Sequence, residues 1–128
     1  MPLISGVTMN KPDRPPVFYH NPRCSKSRQT LALLNERGIG PVVIEYLKTP
    51  PSAAELGRIL DKLGIEPRAL LRIQEHEYLA AGLDNPKLSR REIIDAMVKH
   101  PILIERPILV MADKAAVGRP PEEVLKII

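Results

Sequence analysis

Cysteine and aromatic residues are what this sequence has least of: one Cys, no Trp, one Phe and three Tyr among 128 residues. A single cysteine forms no internal disulfide, and an unpaired thiol is best tolerated where thiols stay reduced, so a cytoplasmic location is expected. The scarcity of aromatics leaves little to stack on exposed bases, which argues against nucleic acid as a partner. No apolar run approaches the roughly 20 residues that span a bilayer, so no membrane partner is expected. The opening stretch, MPLISGVTMNKPDRPP, lacks the apolar core and small-residue cleavage site of a secretory signal. What is present is an ordinary globular composition, 44% hydrophobic and 27% charged, long enough for one domain with its own core. The net charge of +4 biases the chain towards anionic partners. Its cations are scattered rather than gathered in a block, which suits a small anion better than a polymer.

Residues 1–16 are proline-rich with little hydrophobic pattern and read as a flexible leader, and residues 17–128 as a single domain. VFYH, from Val17, is a short run of strand formers stopped by Asn21-Pro22. From Ser25, Leu31, Ala32 and Leu34 recur at helical spacing, and Gly38 supplies the stop. VVIEYL, from Val42, is continuous and β-branched, as expected of a strand covered on both faces. Ser52 with Glu55, and Ser89 with Glu92, have capping-box spacing ahead of apolar helical patterns, and Pro67 opens a short helix in EPRALLRIQ. The chain is thus helical over about 52–100. RPILVMADKAAV then predicts two strands around an Ala112-Asp113 turn, and Arg119-Pro120-Pro121 opens a last helix, EEVLKII. The order βαβ, helical insertion, ββα predicts an α/β fold with a mixed four-stranded sheet.

Cys24 falls in this scheme at the cap or first position of the first helix, within YHNPRCSKSRQT. The amides of Ser25, Lys26 and Ser27 are then helix-start donors without helical partners, and the helix end carries roughly half a positive charge. Both favour thiolate over thiol, and Arg23, Lys26 and Arg28 add to the positive potential. His20, at the end of the preceding strand, is placed to donate a hydrogen bond or positive charge to the sulfur. The plain alternative is a small buried hydrophobe beside a solvated cationic face.

Two motifs are excluded. Cysteine phosphatases, and the arsenate reductases built on their loop, need Arg six positions after the cysteine, where this chain has Thr30. A dithiol redox motif needs a second cysteine three positions on, where it has Ser27. Redox chemistry at Cys24 therefore needs a thiol from another molecule.

YHNPRCSKSRQTLALL, YLKTPPS, LGIEPRALLR, HPILIERPILV and GRPPEEVLKII together, and in this order, resemble the glutaredoxin-linked ArsC arsenate reductases, over about Val17 to Ile128. The resemblance implies a thioredoxin-like fold with a helical insertion. It implies Cys24 as nucleophile, His20 as the histidine that helps the thiol ionise, and Arg72, Arg106 and Arg119 as arginines around the oxyanion, with Ser25, Lys26 and Ser27 completing the anion site. Guanidinium forks neutralise a tetrahedral dianion and align it for attack. Arg106-Pro107 matches the place of a cis-proline facing the active cysteine. Implied partners are arsenate, glutathione as co-substrate, and glutaredoxin, with no bound cofactor or metal. Many members carry Gly-Thr after the cysteine where this chain carries Ser25-Lys26, which adds charge and bulk beside the sulfur.

Two other readings compete. A glutathione-dependent thiol reductase without arsenate activity has no use for three arginines. A Spx-like regulator binding RNA polymerase usually carries Cys-x-x-Cys, which Ser27 breaks.

Overall fold

The structure, a computed structural model, describes residues 14–128. The leader expected over residues 1–16 lies outside the described residues except for 14–16. The chain divides into two compact units: one holds its residues up to 44 together with 106–128, the other residues 45–105.

The first unit is built on strand β1 (Val17–His20), helix α1 (Ser25–Glu36), strand β2 (Val42–Glu45), strands β3 (Ile108–Val110) and β4 (Ala115–Val117), and a C-terminal 3-10 helix, Pro121–Ile127. The sheet order is β2-β1-β3-β4. Helix α1 is the crossover that brings β2 back beside β1. β3 runs antiparallel to both β1 and β4, with Phe18 opposite Leu109 and Leu109 opposite Ala116. The hairpin closes through the Met111 N–H donating to the Lys114 carbonyl at 2.7 Å, which puts Ala112-Asp113 at the turn as expected. Gly38 ends α1 with φ of 75°, a left-handed conformation that only glycine adopts without cost.

Phe18, Leu34, Leu109 and Val124 have no exposure and form the core of this unit, with Leu31, Leu33, Ile39, Met111, Ala116 and Ile127 packed around them. Each such Leu or Phe contributes roughly 1.5–3 kcal/mol through burial. The expectation of a fully covered strand at VVIEYL is corrected. β2 has a single neighbour, and Val42 and Val43 are 48% and 43% exposed. Adjacent strand residues point to opposite faces, so neither face is covered at the start of this edge strand. The last segment is also corrected: proline opens it as expected, but it winds as a 3-10 helix, with the Glu123 N–H donating to the Pro120 carbonyl at 3.0 Å.

The second unit holds helices α2 (Ala53–Leu63), α3 (Pro67–Leu70), α4 (His76–Ala80) and α5 (Arg90–Lys99), and a 3-10 turn, Pro101–Leu103. α2 and α5 pack on one another, each burying an apolar stripe, Leu56, Ile59 and Leu60 on one, Ile93, Ile94 and Met97 on the other. Both predicted capping boxes are closed, and Gly64 ends α2 in the left-handed conformation. The helix read from EPRALLRIQ stops after one turn, because Leu71 turns extended and bridges Ile104 in antiparallel fashion. No helix of the described residues is long and apolar enough to cross a membrane.

Candidate functional site

The loop after β1 places the cysteine. Asn21 and Cys24 close a turn, the Cys24 N–H donating to the Asn21 carbonyl at 3.0 Å, with Pro22 inside it and the Asn21 side chain accepting from the Arg23 N–H at 3.0 Å. Cys24 is the N-cap residue of α1, in extended conformation (φ −94°, ψ 122°), and its carbonyl accepts the first helical hydrogen bond, from Arg28 at 3.0 Å. No side chain caps this helix. The amides of Ser25, Lys26 and Ser27 are therefore left as donors at the positive end of the helix dipole. Ser25 and Lys26 are exposed at this end, while the thiol is 8% exposed.

Arg119 meets the sulfur. Its Nη2 lies 3.5 Å from Cys24 Sγ, and its Nε donates to the Arg106 carbonyl at 2.7 Å. This contact sets a positive charge and an N–H donor directly on the sulfur. Arg106 lies in the same unit, half-buried, with Nε and Nη1 closed off from solvent. Both arginines directly precede a cis peptide bond, Arg106-Pro107 and Arg119-Pro120. The second of these was not foreseen from the sequence. Arg28, expected to strengthen the field, donates to the Pro22 carbonyl at 2.8 Å and so ties the loop to the helix.

His20 and Ser27 form a buried pair, Nδ1 to Oγ at 2.6 Å, and the same hydroxyl accepts from the Asn21 N–H at 3.0 Å. His20 also lies against the Phe18 ring, centroids 5.5 Å apart. Ser27 is fully buried, so its side chain orients the histidine and the loop, while its amide belongs to the helix start. The sequence reading valued Ser27 for its amide and as the missing second cysteine, and missed the hydroxyl. Its only signal was a small polar residue four positions, one helical turn, before Leu31, the first apolar residue of the helix. Thr30, noted for not being arginine, is also fully buried and returns its hydroxyl to the Lys26 carbonyl at 2.7 Å.

Arg72 belongs to the helical unit, just past the Leu71 bridge, where its N–H donates to the Leu103 carbonyl at 2.8 Å. There its guanidinium pairs with Glu75 at 2.5 Å and with Glu105 at 3.6 Å. Its side chain is 13% exposed, so these pairs are poorly screened. Among the described residues no group of three His, Cys, Asp or Glu is placed to hold a metal ion.

Comparison with known proteins agrees with this arrangement. The sequence profile of the ArsC family matches residues 19–127. An arsenate reductase of Neisseria meningitidis is 49% identical over 108 residues, 84% of this chain and 92% of that protein. An uncharacterised Escherichia coli protein, YfgD, is 51% identical over 112 residues, 87% of this chain and 94% of that protein. The structure of an arsenate reductase from Vibrio cholerae superposes with a TM-score of 0.86 at 52% identity, covering 88% of this chain and 97% of that one. With a thiol at an uncapped helix start, an arginine on its sulfur and a profile match over nearly all of the described residues, the chain belongs to the ArsC family.

Proposed function

We propose that this protein is an arsenate reductase using Cys24 as nucleophile. The observation that carries the reading is Arg119 Nη2 at 3.5 Å from the sulfur, above a helix start whose amides no side chain caps. It is supported by relatives at about half identity that bear the name arsenate reductase.

In this reading the Cys24 thiolate forms a sulfur–arsenic bond, and one arsenate oxygen takes up protons and leaves as water. Glutathione then attacks the arsenic of the adduct, forming a second sulfur–arsenic bond while another arsenate oxygen takes up protons and leaves as water. A glutaredoxin thiol removes that glutathione as a mixed disulfide, leaving two electrons on arsenic, which becomes trivalent. Water cleaves the remaining sulfur–arsenic bond, so that arsenite leaves and the thiolate returns. A chain with one cysteine suits this sequence, since both other thiols come from outside.

The roles follow from charge and position. Arg119 and the amides of Ser25, Lys26 and Ser27 offset the dianion and the negative charge that builds during attack. Arg106 is a second guanidinium of the oxyanion site. Lys26 adds a long-range attraction for the anion. His20, held by Ser27, assists ionisation of the thiol. The cytoplasm is the proposed location, because it keeps the lone thiol reduced and supplies glutathione.

The test is arsenate-dependent oxidation of NADPH in the presence of glutathione, glutaredoxin and glutathione reductase. Turnover is expected with the parent protein and none with Cys24→Ser. Folded parent protein that reduces glutathione mixed disulfides but never arsenate would overturn the reading in favour of a thiol reductase.

A further inference from the structure

Gly118 immediately precedes Arg119 and is buried. A β-carbon added there would stand 2.7 Å from Thr30 Oγ1, 2.9 Å from Thr30 Cγ2 and 2.9 Å from Pro107 Cγ. Real β-carbons do not approach other heavy atoms so closely, so any side chain at 118 forces a shift. The shift cannot fall on a flexible chain end. Thr30 is β-branched, has no exposure and is anchored to the Lys26 carbonyl at 2.7 Å, and Pro107 is a buried ring. Gly118 itself is held by its N–H donating to the Pro107 carbonyl at 2.9 Å. No left-handed backbone conformation requires glycine here, since Gly118 is not among the residues of positive φ. Close approach alone does.

The parts in contact are the parts that carry the chemistry. Thr30 sits on α1, six residues from the cysteine that begins that helix. Pro107 follows Arg106, whose carbonyl accepts from Arg119 Nε at 2.7 Å. We propose that Gly118 is a positioning residue: its lack of a side chain lets the Arg119 segment seat on Thr30 and Pro107, which sets the guanidinium on the Cys24 sulfur. Thr30 is the other half of the device, a fixed wall on the helix that also carries the nucleophile. The inference rests on Cys24 and Arg119 acting together, and thiol alkylation reads their contact without arsenate, glutathione or glutaredoxin. Its failure is therefore distinct from failure of the proposed activity.

The experiment is the pH profile of iodoacetamide alkylation of Cys24 in the full chain, with circular dichroism confirming the fold. Gly118→Ala is expected to slow alkylation near neutral pH about tenfold, the scale of one charge-assisted hydrogen bond, as Arg119→Ala does. In the Arg119→Ala background the same glycine substitution is expected to have no further effect. Gly118→Ala combined with Thr30→Ala returns the space to the added methyl and is expected to recover most of the rate. Parental alkylation of Gly118→Ala, or an equal slowing in the Arg119→Ala background, overturns the proposal. If Gly118→Ala does not fold, Thr30→Ala alone decides: it removes the wall, and a several-fold slowing that vanishes in the Arg119→Ala background supports the device, whereas an unchanged rate sinks it.

Discussion

Among the described residues, three helices begin at a small side chain bearing oxygen or sulfur, and they begin differently. α2 and α5 start at Ser52 and Ser89, each closed by a complete box in which the serine accepts from the amide of a glutamate three residues on and the glutamate accepts from the serine amide. α1 starts at Cys24 and no side chain closes it. Sulfur is a weak acceptor, so it does not compete with serine as a cap. What a cap would satisfy is left open, and open amides at a positive helix end are what a thiolate and an arriving oxyanion need. The closed starts serve stability; in the function proposed above, the open start serves chemistry. This is the kind of local stability given up at a functional site and recovered elsewhere, here in the apolar stripes of α2 and α5 and the core under β1.

The contrast can be broken from either side. Among substitutions that keep the nucleophile, the largest effect is expected from Arg119→Ala, which removes the guanidinium from the open start. Arsenate turnover in the coupled assay should fall about a hundredfold, the scale of one lost donor to a developing oxyanion, with the melting temperature nearly unchanged. Arg72→Ala should cost less, because its charge is already met by Glu75 and Glu105. An equal loss in the same assay would contradict this. On the closed side, Ser52→Ala should lower unfolding free energy by about 1 kcal/mol in urea titration and leave Cys24 alkylation untouched. Cys24→Ser should do the reverse of both: turnover vanishes, while the new hydroxyl caps α1 and raises stability by roughly 0.5 kcal/mol. A destabilised serine variant would mean that the thiol, not the missing cap, is what the packing around position 24 needs.

The smallest effect concerns acid. The Glu92 carboxyl is held below its ordinary range, first by the hydrogen bond from the Ser89 amide and then by the Ser89 hydroxyl, against a small opposing cost of desolvation. Because the folded state lowers this group's pKa, its contribution is fully present above the unfolded value, about 4.3, and is lost as pH falls through the folded one. The difference in urea midpoint between parent and Glu92→Gln should therefore be largest near neutrality and shrink below about pH 4. A difference that grows on acidification would contradict the box as the cause.

Both serine boxes, the glycine stops at Gly38 and Gly64 and the place of Cys24 at a helix start were legible because each is a local rule, decided by residues within one turn. The same locality misled at VVIEYL, and at EPRALLRIQ it found the short helix opened by Pro67 but not its end at Leu70. An apolar β-branched run looks alike whether a strand is central or at the edge, and a one-turn helix yields to an extended bridge when a partner such as Ile104 offers backbone hydrogen bonds. The arginines were named only through resemblance, since nothing in the spacing of Arg106 and Arg119 from Cys24 marks them.

The sequence by itself determined the elements, their caps and the single thiol, because those depend on neighbours along the chain. Only the tertiary structure decided that Arg119, 95 residues away, stands on that thiol, that Ser27 holds His20, and that Gly118 must be bare. Those are contacts across the chain, set by the volume and hydrogen bonds of packed segments, and no local pattern encodes which side chain will fill a given gap.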